Sequence, residues 1–314
     1  MDSQNIKKAE LHCHLDGILN LQYFHVISKN KFPISQEDLG KYRSCFPPKD
    51  LNSWLELLKS KERIITKYED ILFEALDLYF SDLARQNVIY SEIMLSNILY
   101  RDEDFQNTVQ TFEKYYSLKL KYRPMKINFT VGIARTKKRD VFEKKLVRAE
   151  KLFKLNLIKG IAIAGDEYGS DIKDYTEFFK KMNEFHMGIE IHAGESGGPE
   201  RIWDALQYGY CKRIGHGLAV FDDKKLIDYI LKNEIHLEFC PSSNRILTKY
   251  KELKNHPINL ARKYGMNFSI NTDDPGDFNT NITKEYELVR QYCGFEKKDF
   301  ENILYNSLTA GFSD

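Results

Sequence analysis

The sequence predicts an α/β fold, a TIM-type (β/α)8 barrel with extra helices inserted after the first strand, and three observations carry that prediction. Eight short apolar runs recur along the 314 residues, and longer segments with helical spacing lie between them. No G-x-G-x-x-G loop announces the nucleotide site of an open doubly wound sheet. Strand–helix alternation calls for parallel pairing, and eight such units close into a barrel.

Taken in order, the strand candidates are residues 9–12, 88–95, 127–133, 158–164, 188–192, 213–216, 235–239 and 268–271. The helical segments are one starting at Ser53 ahead of Trp54-Leu55-x-x-Leu58, then 102–118, 140–153, 174–185, 199–206, 222–231 and 283–292, each opening on a residue suited to a helix start. The stretch from about 20 to 65 is too long for a simple crossover, so it is expected to carry additional helices and to form a lid. No Gly/Ser- or Pro-rich linker and no short internal repeat interrupts the chain, which predicts one domain over residues 1–314.

Composition narrows the function. With 42% hydrophobic and 13% aromatic residues the chain can bury a large core, and 47 basic against 46 acidic side chains leave a net charge of +1. Nothing global draws it to nucleic acid or an anionic membrane, so neither is expected as a partner. The first residues hold no apolar signal core, and no apolar run is long enough to span a bilayer. Cys13, Cys45, Cys211, Cys240 and Cys293 are odd in number and include no C-x-x-C pair, which suits reduced thiols and a cytoplasmic protein.

The chemistry gathers at strand ends. His12 and His14 in Leu11-His12-Cys13-His14-Leu15-Asp16-Gly17 stand two apart on a strand, so both imidazoles project from one face and can reach one ion. His192 ends the fifth run, His216 the sixth, and Asp273-Asp274 follow the eighth. A barrel brings such ends together at its C-terminal mouth. Three histidines and one carboxylate, with a water completing the shell, form a sensible site for a catalytic divalent metal such as zinc. Singly, each residue has a plainer explanation: a hydrogen-bonded core histidine, a turn cap before Pro275, a helix start at Gly194-Glu195. Their joint placement favours a site. His25, His186, His236 and His256 take the plainer explanation.

These motifs, with Gly165-Asp166-Glu167, His192-Ala193-Gly194-Glu195, Arg213-Ile214-Gly215-His216-Gly217, Cys240-Pro241-Ser242-Ser243-Asn244 and Asn271-Thr272-Asp273-Asp274-Pro275, resemble the adenosine deaminases of the metal-dependent hydrolase superfamily. They stand in that family's order and cover roughly residues 8 to 312. The resemblance implies that His12, His14, His192 and Asp273 hold a zinc ion, and that Glu195, His216 and Asp274 surround the reacting purine. It further implies hydrolytic deamination of adenosine, and of 2′-deoxyadenosine, to inosine and ammonia. Zinc activates water for attack at C6, His216 and Asp273 orient the attacking oxygen, and a protonated Glu195 donates to ring N1. On the same resemblance the Gly165 backbone N–H faces N3, Asp274 faces N7, His14 borders the substrate, and Asp16 accepts from the ribose hydroxyls and repels a 5′-phosphate. Gly215 stands where related adenine deaminases carry an acidic residue, which makes the free base the less expected substrate.

Leu51, Trp54, Leu55 and Leu58 have helical spacing; in the resembling enzymes a helix here gates the base, and core packing is the alternative. Two departures stand out. Met94 and Asn97 replace an arginine and a proline common in the family, so substrate preference is expected to be sensitive to that loop. The chain also ends at Asp314, where relatives usually continue through another helix. The competing readings are a deaminase of adenine, a modified adenosine or an adenine nucleotide on the same site, and a nucleoside-binding protein without turnover. Glu195 and His216 argue against the last. The H-x-E…P-C-x-x-C pattern of cytidine-deaminase-like enzymes is absent. A serine-nucleophile hydrolase is disfavoured because Ser196 sits in what reads as a helix start.

Overall fold

The structure is a computed structural model and describes residues 3–20, 32–68, 70–95 and 104–312. Eight strands pair in parallel in their chain order: β1 (Lys8–Glu10), β2 (Val88–Leu95), β3 (Lys126–Ala134), β4 (Gly160–Ala164), β5 (Gly188–Ala193), β6 (Arg213–His216), β7 (His236–Phe239) and β8 (Phe268–Ile270). The ring closes just beyond β8, where the Asp273 N–H donates to the His12 carbonyl and the His14 N–H to the Asp273 carbonyl, each at 2.9 Å. This is the (β/α)8 barrel that the alternation predicts. The last strand residues are almost all buried on both faces, as parallel strands wrapped by helices must be.

Among the described residues, three α-helices lie in the insertion between β1 and β2: α1 (Gln36–Cys45), α2 (Leu51–Ile65) and α3 (Ile71–Arg85). Helix α2 starts three residues earlier than the Ser53 signal suggests. Asp50 is its N-cap, and Ser53 is the third helical residue, closing a reciprocal capping box. The remaining helices are α4 (Phe105–Lys121), α5 (Arg139–Lys154), α6 (Thr176–Glu184), α7 (Pro199–Tyr208), α8 (Lys224–Lys232), α9 (Pro241–Leu247), α10 (Ile258–Tyr264), α11 (Ile282–Cys293) and α12 (Lys297–Ala310). Predicted starts at residues 102 and 222 move to Asp104 and Asp223, whose side chains accept from the first-turn amides. Among the described residues no helix is long and apolar enough to cross a membrane.

The barrel interior is not purely apolar. Arg213 is buried at its centre, donating to Glu92 at 2.6 Å, to Glu238, and to the Leu11 carbonyl at 3.1 Å. Phe312 plugs the opposite end from the site: its ring lies 3.8 Å from the Arg213 guanidinium, its N–H donates to Glu92 at 2.5 Å, and its carbonyl accepts from Asn128 at 2.8 Å. A charge this deep is tolerated because two carboxylates and a carbonyl satisfy its donors.

Candidate active site

The strand ends bring His12, His14, His192 and Asp273 together, with one ligand-capable atom from each lying within 4.8 Å of all the others. His14 Nε2 lies 3.2 Å from His192 Nε2. Asp273 Oδ1 lies 3.4 Å from His12 Nε2 and 3.3 Å from His14 Nε2. Two imidazole nitrogens this close point at a shared cation, and His12 Nε2 is buried with no hydrogen-bond partner. Three nitrogens and one carboxylate oxygen suit a divalent metal of borderline softness.

Neighbours hold these groups in register. His12 Nδ1 lies 2.8 Å from Glu238 Oε2, so it donates there and leaves Nε2 free. Burial alone would raise the Glu238 carboxyl, but Arg213 and His12 together outweigh it and hold it below the usual range. His192 Nδ1 lies 3.0 Å from Glu190 Oε1, and Ser243 donates to Asp273 Oδ2 at 2.6 Å, turning Oδ1 toward the histidines. Arg213 and Ser243 fall within motifs of the sequence without an assigned role, and Glu190 and Glu238 fall in none. A buried charge on a strand looks like any polar position until its partner across the barrel is known.

His216 and Asp273 both have left-handed backbone, at φ 63° and 62°. Such non-glycine strain clusters at functional sites, where the surrounding structure must enforce it. His216 Nε2 lies 3.6 Å from Glu195 Oε2 and 4.0 Å from Asp273 Oδ2, and burial draws its imidazole well below the ordinary value. Glu195 rides on the turn between β5 and α7, and Glu167 holds that turn by accepting from the backbone N–H groups of Gly194, Glu195, Ser196 and Gly197 at 2.7 to 3.0 Å. Burial first, then the charges of Asp273 and Glu167, push the Glu195 carboxyl up to about 8. Its side chain is 23% exposed, but onto the cavity floor rather than open solvent.

Residues Gly194 to Gly198 spell G-x-S-x-G, in the turn just before α7. The Ser196 hydroxyl nevertheless donates to Glu167 at 3.2 Å, a carboxylate already engaged with the turn, so no imidazole activates it as a nucleophile.

A cavity of about 1180 Å³ opens over these groups, and His14, Asp16, Gly165, His192, Glu195, His216, Asp273 and Asp274 all line it. Gly165 follows β4 at φ 85°, in the left-handed region that favours glycine. Asp274 is wedged against Gly17, where a Cβ would fall 1.9 Å from its Oδ1, so only glycine fits there. Burial, reinforced by Asp273, raises the Asp274 carboxyl well above its usual range. The stripe Leu51, Trp54, Leu55 and Leu58 of α2 lines the cavity, and Leu51 and Leu55 are 46% and 42% exposed, so it is not core packing. The helix is fastened from beneath: Lys61 Nζ and Trp54 Nε1 both donate to Asp277, at 2.5 and 3.2 Å.

Met94 is buried at the end of β2, its amide and carbonyl joined to Cys13 and Leu15, and Gly132 and Ala134 form the cavity wall next to that strand. Asn97 and His25 lie outside the described residues. His256, read as a hydrogen-bonded core histidine, is buried and bonded to Asn244, which in turn contacts His216.

Comparison with known proteins gives the family and the fold. An adenosine deaminase of Clostridium perfringens (strain 13) is 27% identical over 99% of this chain and 96% of its own length. An adenine deaminase of Mesorhizobium japonicum is 29% identical over 98% and 94%. The crystal structure of an adenine deaminase from Arthrobacter aurescens superposes with a TM-score of 0.85 at 22% identity, covering 98% of this chain and 94% of that one, and shares the fold. The family model described as adenosine deaminase matches residues 7–314, so that the barrel and its motifs form one continuous match and the chain belongs to the adenosine deaminase family.

Proposed function

We propose that this chain, acting as a single domain over residues 1–314, is a zinc-dependent hydrolase that deaminates adenosine, and 2′-deoxyadenosine, to inosine and ammonia. The observation that carries the reading is Glu195, a carboxyl raised to about 8 beside His216 and on the floor of the same cavity as the four-ligand cluster. A proton donor beside a metal serves turnover, not binding, so a nucleoside-binding protein is the weaker reading.

In this account His12, His14, His192 and Asp273 hold the zinc, which when bound activates a water for attack at C6. His216 and Asp273 face the attacking oxygen. Glu195 donates its proton to N1 as the oxygen adds to C6, which removes charge from the ring in the same step. The proton still on that oxygen passes to the amino group, the C–N bond breaks and ammonia leaves, C6 becomes the 6-oxo carbon, and the proton that the water gave up on activation restores Glu195. The Gly165 N–H meets N3 and Asp274 meets N7, so several edges of the base are read by buried polar groups, which reject an analogue lacking a partner. The apolar face of α2 covers the base and excludes water.

Relatives carry both adenosine and adenine deaminase names, so the choice between them rests on this chain's own cavity. Its volume exceeds what adenine fills and leaves room for a ribose, and Asp16 stands where a sugar hydroxyl can donate. Asp16 also opposes a phosphate, and of the lysines lining the cavity Lys61 pairs with Asp277, Lys59 with Glu56 and Lys249 with Asp222. A Cβ at Gly215 would fall 2.2 Å from Glu190 Oε1 and 3.0 Å from the imidazoles of His12 and His192, so no acidic side chain fits before His216. All five cysteines are free, in keeping with the cytoplasmic setting proposed for it. Initial rates on adenosine, adenine and AMP at equal concentration test the assignment: adenosine is expected to be fastest, and a higher kcat/KM for adenine or AMP would overturn it.

A further inference from the structure

The geometry points to Asn244 and His256 as positioning residues that hold His216 in the tautomer with its proton on Nε2, so that this ring meets the attacking oxygen as a hydrogen-bond donor. The inference rests on the deaminase reading for its catalytic meaning, but not for its structural content.

Two backbone amides, whose direction is not in question, set the whole chain of bonds. The Ile258 N–H, opening α10, donates to His256 Nδ1 at 3.1 Å. That nitrogen is therefore an acceptor, and the neutral ring carries its proton on Nε2. His256 Nε2 lies 3.1 Å from Asn244 Oδ1 and donates to it. Independently, the Cys240 N–H reaches the same Oδ1 at 3.3 Å. Two donors thus fix which end of the Asn244 amide is oxygen, and its Nδ2 must face the other way. Nδ2 lies 3.1 Å from His216 Nδ1, which can only accept.

The alternative tautomer would set an N–H on His216 against an N–H on Asn244. Flipping the amide to relieve that clash would turn Nδ2 onto two donors instead. Asn244 is fully buried and His256 is 1% exposed, so water cannot take the place of either partner, and an unmatched buried donor carries its full desolvation penalty. With Nδ1 committed, the His216 proton sits on Nε2, which faces Glu195 and Asp273. A nitrogen already bearing a proton has no lone pair with which to remove one. His216 therefore stabilises charge on the attacking oxygen by donation and does not act as the base. Its left-handed backbone, at φ 63°, keeps the ring in line with both partners.

Asn244→Asp tests this, because a carboxylate cannot donate and so demands a proton on His216 Nδ1. Nitrogen NMR of imidazole-labelled full-length chain, with and without added zinc, reads the protonated nitrogen directly. The wild type is expected to show Nε2–H, and Asn244→Asp to move the proton to Nδ1. In steady state that variant is expected to lose roughly 100-fold or more in kcat with KM changed by no more than about threefold, as a wrong imidazole tautomer does elsewhere. His256→Gln, which can accept from Ile258 and donate to Asn244, should keep most of kcat, while His256→Phe should lose it. A wild-type signature of Nδ1–H, or an Asn244→Asp variant with unchanged kcat, overturns the inference. A wild type that shows Nε2–H yet turns over no purine supports the positioning and overturns only the reaction.

Discussion

At the scale of single residues, the site is a set of groups whose proton and charge states are set by neighbours, and Glu195 is the most exposed to test. Replacing it with Gln removes the proton donor while keeping size and hydrogen bonding. Zinc content and purine binding are expected to persist while kcat falls by about 10²–10⁴-fold, the usual worth of general acid catalysis. Near-normal turnover would remove Glu195 from the role. The pH profile gives a second test. A carboxyl raised to about 8 is protonated below that pH and loses its proton above it, and a bound cation pulls the value down. Thus kcat/KM is expected to fall with rising pH along a limb centred no higher than about 8, and a plateau continuing well above that would contradict the assignment.

The proposed ligands and His216 were legible in the sequence because they stand at the ends of apolar runs: His192 after Ile189 and Ile191, His216 after Ile214, Asp273 after Ile270; the role of Glu195 came from the family resemblance. A side chain at such a position has one place to go in a barrel. Their supports were not legible. Glu190 and Glu238 alternate with apolar neighbours on β5 and β7 just as solvent-facing residues would, and only strand pairing shows them turned inward. Asn244 was visible within a motif, but its bond to His216 depends on a residue 28 positions away. The G-x-S-x-G pattern at Ser196 shows the reverse case, a motif present in the letters whose chemistry the fold removes.

At the scale of elements, α2 joins structure to function. One face buries Leu57 and Ile64, the other lines the cavity with Leu51, Trp54, Leu55, Leu58 and Ile65, and Lys61 with Trp54 secures it to Asp277 in the loop after β8. Breaking a buried ion pair from one side leaves the other charge stranded. Lys61→Met is expected to destabilise the protein by about 3–5 kcal/mol, and adding Asp277→Asn, which removes the stranded charge and still accepts from Trp54, to recover most of that loss. Urea midpoints measure both; equal stability of Lys61→Met and wild type would show that the pair holds nothing. The eight strands were readable from short apolar runs, but several helices were not. Helices α9 and α10 are only seven residues long, too short to show a period. Helix α3 has a clear one, with Leu72, Ala75, Leu76, Tyr79, Phe80 and Leu83 buried, yet it runs almost directly into β2 and blends with it in an apolar stretch.

At the scale of the whole molecule, the barrel has a chemical end and a structural end, joined through its axis. Phe312 seats on Arg213, Arg213 braces Glu238, and Glu238 orients His12. Because Phe312 is half-buried, Phe312→Ala is expected to lower stability by roughly 1–3 kcal/mol through lost packing and cation–π contact. Zinc content and kcat at low temperature should stay near wild type, since Glu92 and Glu238 still hold the guanidinium. A thermal melt with a parallel metal assay checks this, and loss of zinc without loss of stability would show that Phe312 acts on the site instead. Sequence composition anticipated a large core but not this polar axis, because nothing in a list of charged residues says which are buried.

We propose that this barrel deaminates adenosine with a zinc ion held by three histidines and an aspartate. The most direct measurement is the ultraviolet absorbance change of adenosine incubated with the purified chain as isolated, after removal of metal by a chelator, and after zinc is restored. Conversion to inosine that stops on chelation and returns with zinc is the predicted result. No conversion by a folded, zinc-loaded sample, or conversion indifferent to the chelator when the metal has demonstrably gone, would contradict it.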